Sequence, residues 1–214
     1  MRKLAFLFLA LALSSCTAID VVTHSVSDDP VKAPAGAYTL DPHHWSVLFD
    51  VDHFGYSRFV TRFDKVEATL DAVPGAPEKS RVHVTIKAAS VDTNDPELDS
   101  MLTGPDMFDA AKFPDITFTS TSVKRTGPKT GDMTGNLTIR GRTHPVTLVV
   151  TFNGGAPDPL TGLDTLGFSA TGNFDRSQWG LSAWWPAVGN DVHVAVQAEF
   201  TKPRHASNGT SNGG

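Results

Sequence analysis

From Trp45 to His53 every second residue is apolar or aromatic (Trp45, Val47, Phe49, Val51, then His53), while His44, Ser46, Asp50 and Asp52 between them are polar and only Leu48 breaks the alternation. A period of two marks a half-buried β-strand. The pattern recurs along the chain. Over 58–71 Phe59, Thr61 and Phe63 share one side and then Val66, Ala68 and Leu70 do, a phase change that predicts a bulge near Asp64–Lys65. Val82, Val84, Ile86 and Ala88 form the next apolar face, and strands follow over 115–123, 132–140, 145–152, 166–174 and 190–201, the last presenting Val192, Val194, Val196, Ala198 and Phe200 to one side. Turns rich in Gly and Pro separate them.

Residues 92–113 depart from this period. Asn94 or Asp95 supplies an N-cap, Pro96 stands in the first turn, Leu98, Met101 and Leu102 share a helical face, and Gly104-Pro105 ends the helix. A second short helical turn is expected over 106–111, presenting Met107 and Phe108. With a short lead-in at 38–40 set aside, the chain has eight long one-sided strands and one helical insertion. The fold class is therefore all-β, and a closed eight-stranded antiparallel barrel removes the exposed edges that an open sheet would keep. A two-sheet sandwich is the alternative. Eight strands enclose an interior that is either filled by side chains or wide enough for one ligand.

The two ends of the chain read differently from this core. Arg2 and Lys3 precede an apolar run from Leu4 to Leu13, too short to span a bilayer as a helix, so residues 1–15 are expected to be an export signal peptide. Leu13-Ser14-Ser15-Cys16 resembles a bacterial lipobox, which implies that Cys16, the only cysteine, is acylated and begins the mature chain; ordinary secretion with cleavage after Ala18 is the alternative. In a Gram-negative host, resemblance to lipoprotein sorting signals would make Thr17, in place of Asp, favour the periplasmic face of the outer membrane. Residues 16–35 are expected to be the lipidated cysteine and a flexible tether with a reach of about 25 Å, residues 36–202 the barrel, and residues 203–214 a disordered tail. The net charge of −5, without a basic block, argues against nucleic-acid binding.

Several short motifs occur in order. Tyr38-Thr39-Leu40-Asp41 with His44, Phe49 and His53 is followed by Ala89-Ser90-Val91-Asp92-Thr93, by Met107-Phe108-Asp109-Ala110 and by Phe113-Pro114-Asp115-Ile116-Thr117-Phe118. Gly135-Asn136-Leu137-Thr138-Ile139-Arg140-Gly141, Arg176-Ser177-Gln178-Trp179-Gly180-Leu181 and Val188-Gly189-Asn190-Asp191-Val192 complete the set. Together they resemble the YceI-like family of exported, lipocalin-like proteins. The resemblance implies an extended eight-stranded antiparallel, lipocalin-like barrel with a long hydrophobic pore that takes a polyisoprenoid such as a prenyl-chain quinone or prenyl phosphate. It also implies a periplasmic or secreted location. Trp45 stands where the family mostly has Ser or Thr, and Leu98 and Met101 replace charged and histidine positions of the insertion, which makes that mouth less polar.

The candidate pore wall is Trp45, Val47, Phe49, Val51, Phe59, Phe63, Ile86, Ile116, Phe118, Phe168 and Phe174, with His53 at the end of its stripe, Leu102 and Phe108 from the insertion, and Trp179 near Arg176. Burying about ten methylene equivalents is worth ~8 kcal/mol before costs, the scale of a micromolar affinity. From periodicity alone the same face also fits a filled core. His44 and His53 are expected on opposite strand faces, so no metal site is expected, and no catalytic motif or resident cofactor is apparent in the sequence. Trp179 and Trp184-Trp185 are candidates for lining a mouth, contacting a membrane, or capping the barrel. The partners expected are a long-chain lipid, a membrane reached through the anchor, possible homodimerisation and, in an alternative role in quinone-dependent electron transfer, a membrane cytochrome. A third role is that of an envelope stress protein with a filled core.

Overall fold

The computed structural model describes residues 20–204. The expected signal peptide, Cys16 and all but the first two residues of the tail expected over 203–214 lie outside the described residues. Ten strands form: β1 (Gly36–His53), β2 (Ser57–Phe63), β3 (Val66–Ala72), β4 (Arg81–Lys87), β5 (Val91–Asp92), β6 (Asp115–Arg125), β7 (Thr130–Ile139), β8 (Arg142–Pro157), β9 (Asp164–Asp175) and β10 (Val188–Lys202). The insertion forms an α-helix, α1 (Pro96–Thr103), with Asp95 accepting from the Glu97 and Leu98 amides and Pro96 opening its first turn. Residues 106–111 form turns instead of the expected second helical turn, and Met107 and Phe108 are nevertheless buried.

The strands run β1–β3–β4–β6–β7–β8–β9–β10 and β10 returns to β1, all neighbours antiparallel. This is a closed eight-stranded barrel. β2 lies along the later half of β1, while β3 lies along its start, so β2 and β3 act as one bent strand. The bend falls at Asp64–Lys65, where the sequence predicts a bulge. There the amides of both residues leave the ladder and bond to the Ser90 carbonyl and hydroxyl.

The lead-in at 38–40 belongs to β1. Between Leu40 and Trp45 the register against β10 slips, Leu40 facing Phe200 and Trp45 facing Ala198. The extra residues bulge outward, held by Asp41, whose carboxylate accepts from the His43 and His44 amides at 2.8 and 3.1 Å. The bulge changes the strand's parity. Tyr38 and Leu40 point inward before it, and Trp45, Val47, Phe49 and Val51 after it.

The lower end of the barrel carries the turns after β3, β6 and β8, and the upper end carries the β1–β2 hairpin, α1 and the segment between β9 and β10. The free tether expected over 16–35 stops short of the barrel. Ser27 and Gly155 exchange backbone hydrogen bonds at 3.0 and 2.8 Å, Asp28 pairs with Lys129, and Pro30–Lys32 makes a 3₁₀ turn. The glycines of β8 explain the contact, since a side chain at Gly154 would meet Val26 at 2.9 Å.

Gly135 does the opposite job inside the barrel. It sits at an inward position of β7, and an added Cβ would stand 2.3 Å from the Phe118 ring. A Gly135→Ala variant is therefore expected to be less stable by about 1–3 kcal/mol, the usual cost of overpacking. Denaturant titration measures this, and an unchanged midpoint would mean that Phe118 can swing into free space.

Candidate functional site

The inward faces of the strands enclose a cavity of about 930 Å³, within the range of small-molecule sites. Its wall is almost wholly apolar. Of the residues expected there, Trp45, Val47, Phe49, Val51, His53, Phe59, Phe63, Ile86, Leu102, Phe108, Ile116, Phe118, Phe168 and Phe174 all line it. Phe49 stacks on Phe63 at 5.2 Å between ring centres, and Phe108 meets both, so the insertion narrows the upper lumen with an aromatic cluster.

Two tight clusters bracket the lumen. One, around Val47, Phe63, Leu102 and Phe108, belongs to the upper half; the other, around Tyr38, Leu70, Phe152 and Leu166, closes the lower half. Between them many inward side chains stay only half-buried, among them Val84, Val150, Phe168, Val194 and Val196. In a filled core close packing would bury them fully. The filled-core alternative therefore does not describe this barrel. Strand parity places Val84, Val150, Val194 and Val196 in the wall as clearly as the aromatics; a search favouring bulky residues passes over them.

Trp179 is the exception. It is only 1 % exposed and does not line the cavity; its indole N–H donates to the Leu137 carbonyl at 3.1 Å and its ring meets His144 and Phe174 edge-on. The cause is local. Asp175 caps a 3₁₀ turn over Arg176–Trp179, and Gly180, with φ 78°, folds the chain back so that Trp179 caps the barrel. Of the three roles open to these tryptophans, Trp179 takes the cap and Trp184 lines the upper mouth.

Arg176 is the functional-site residue that strand periodicity does not reveal. It is 4 % exposed and lines the cavity, yet its guanidinium faces backbone carbonyls instead of a carboxylate. It donates to the carbonyls of Gly189 at 2.9 Å, Ala183 at 3.0 Å, Val188 at 3.0 Å, and Leu181. Burial pushes its pKa down, with the nearby Asp175 charge opposing. The cation thus pins the whole segment from Leu181 to Gly189 at the upper mouth.

That mouth is rimmed by exposed aromatics. Phe54 is 60 % exposed, Tyr56 88 %, Trp184 41 % and Trp185 63 %. The Phe54 amide donates to the Ala187 carbonyl at 2.7 Å, tying the β1–β2 hairpin to the segment carrying the two tryptophans. Phe54 has φ 55° and Trp184 φ 65°. Left-handed backbone is rare for bulky residues and costs on the order of 1 kcal/mol each; Asn is the usual choice at the hairpin position.

The histidines and aspartates lie apart from the lumen, except His53. Its ring packs edge-on against Phe54 at 4.8 Å, at the rim. His44 sits on the outer bulge, 3.0 Å from Asp41. On the outer wall Asp50 accepts from Arg58 and His193; burial raises its pKa, but those hydrogen bonds outweigh it and hold the carboxyl below the usual range. Among the described residues no three His, Cys, Asp or Glu side chains converge on a metal position.

Comparison with known proteins agrees with this geometry. The chain matches the YceI-like domain over residues 38–200. It is 37% identical over 157 residues to a UPF0312 protein of Pseudomonas savastanoi pv. phaseolicola, covering 72% of this chain and 81% of that protein. The YceI protein of Campylobacter jejuni superposes with TM-score 0.65 at 30% identity, over 72% of this chain and 90% of its own. A polyisoprenoid-binding domain from Saccharophagus degradans, implicated in plant cell wall breakdown, shares the fold with TM-score 0.62 at 12% identity, over 79% of this chain and all of that domain. With the domain match spanning nearly the whole barrel and a relative 37% identical over most of both chains, the chain belongs to the YceI-like family.

Proposed function

We propose that the barrel binds one long-chain isoprenoid lipid, of the prenyl quinone or prenyl phosphate class, without catalysis, and serves as its carrier or reservoir at the cell envelope. The observation that carries this is the hollow apolar lumen, whose half-buried wall residues await a partner that water cannot replace. Its elongated shape between two end clusters suits a chain better than a compact ring system. Support for an isoprenoid comes from the family and from the polyisoprenoid-binding domain that shares the fold. Among the described lining residues there is no carboxylate or thiol, so the wall offers no acid–base pair or thiol nucleophile. The export signal and lipobox resemblance support an envelope setting, with an acylated Cys16 as the anchor.

The test is mass spectrometry of organic extracts from protein purified out of its native envelope. About one isoprenoid lipid per chain is expected. Protein that is folded and monodisperse yet yields no stoichiometric lipid would rule out the carrier reading.

A further inference from the structure

We propose that the upper rim, formed by Phe54, Tyr56, Trp184 and Trp185 with Met101 of α1 beside them, is a docking surface for a zwitterionic phospholipid bilayer, through which the lumen exchanges its lipid. Four observations converge on it. The side chains are of the kind that settle at the boundary between water and hydrocarbon, an apolar body with a polar edge in Tyr and Trp. They are contiguous with the lumen, since Phe54, Trp184 and Met101 are both exposed and part of the cavity wall, so an apolar path runs from outside to inside without crossing a polar belt.

The rim is also held in place at some cost. Phe54 and Trp184 both keep left-handed backbone that a smaller residue would occupy more easily, and the buried Arg176 guanidinium ties down the segment that carries the tryptophans. A surface that merely needed closing would relax to Asn or Gly at such positions. Finally, the two ends differ. Among the described residues the exposed Phe, Tyr and Trp rings all stand at the upper end, beside its Lys87–Asp115 pair, whereas the lower end carries the Asp28–Lys129 and Asp164–Arg204 pairs and none of those rings.

Charge selects the kind of bilayer. The chain carries a net −5, and α1 beside the rim brings Glu97 and Asp99. Anionic lipid therefore gains nothing, and insertion of rings into a neutral interface is the driving contact.

This inference rests on the lumen holding a lipid, but its test does not depend on what the lumen holds. The full chain purified from the envelope is mixed with vesicles of phosphatidylcholine brominated on its acyl chains, and tryptophan fluorescence is recorded. The comparison is with the Tyr56→Ser/Trp185→Ser double variant, whose altered residues do not line the cavity and which retains Trp184 as a reporter. Both proteins carry the same N-terminal segment, so its contribution to vesicle attachment cancels. Quenching of the wild-type protein, reduced at least three-fold per tryptophan in the variant while the lipid extracted per chain stays unchanged, is the expected result. Wild-type protein that sediments with the vesicles without quenching would overturn the proposal, and so would equal quenching in the two proteins. A dimer that the double variant dissolves, again without quenching, would assign the rim to a second copy of the chain and overturn it too.

Discussion

Replacing Arg176 by Met is expected to destabilise the barrel by about 4 kcal/mol, measured by denaturant titration. The guanidinium donates to four carbonyls, those of Leu181, Ala183, Val188 and Gly189, from a position 4 % exposed. Methionine fills similar space and makes none of these bonds. A buried acceptor left without a donor costs roughly 1–3 kcal/mol, and water entering through the nearby mouth recovers part of the loss. Each kcal/mol is worth about 2–4 °C in a domain of this size, so the melting temperature should fall by more than about 8 °C. Arg176→Lys should recover only a fraction, because an ammonium has three donors on one nitrogen and cannot span carbonyls that the planar fork reaches from three nitrogens. A loss under about 1 kcal/mol in Arg176→Met would show that the Leu181–Gly189 segment is held by its own packing.

The second large effect concerns the lumen. Val196 lies at mid-height on β10, opposite Val47 of β1 and Ala170 of β9, half-buried and facing the cavity. A Val196→Trp variant is expected to reduce the lipid extracted per chain at least ten-fold while shifting the melting temperature by only a few degrees. The two readouts together separate hollow from filled. In a packed core an indole at this position overpacks and costs about 1–3 kcal/mol or more, whereas a void accepts the ring and loses only its ligand. A variant that stays stable and retains its full lipid load would show that the ligand lies elsewhere.

The strand pattern was legible because it is local. A one-sided sheet forces alternate residues to opposite faces, so the stripe Trp45, Val47, Phe49, Val51 predicts its own orientation, and the phase change after Phe63 predicts the bend at Asp64–Lys65. Whatever depends on distant partners was not legible. The sequence sets the 38–40 lead-in apart from the long strand after it, yet β10 runs past Asp41-Pro42-His43 and joins both sides into one strand. Fourteen of the fifteen wall candidates line the cavity, twelve because strand parity is enough to place them and Leu102 and Phe108 through the helical insertion; Trp179 does not, because its direction is set by the left-handed Gly180. The carbonyl cage of Arg176 is assembled by a returning segment and leaves no periodic trace. Hollow and filled barrels share one alternation, so that distinction lies in side-chain volumes summed across eight strands.

The contacts of Ser27 with Gly155 and of Asp28 with Lys129 have a mechanical consequence. They give the barrel a fixed pole. Strands such as β10, running from Val188 at the upper mouth to Lys202 below, rise about 3.3 Å per residue at a tilt of some 40°, which separates the two poles by roughly 35 Å. A pull applied through the chain before Ser27 therefore acts on the pole farthest from Phe54 and Trp185. Were the barrel held through that segment, its aromatic crown would face away from the point of attachment.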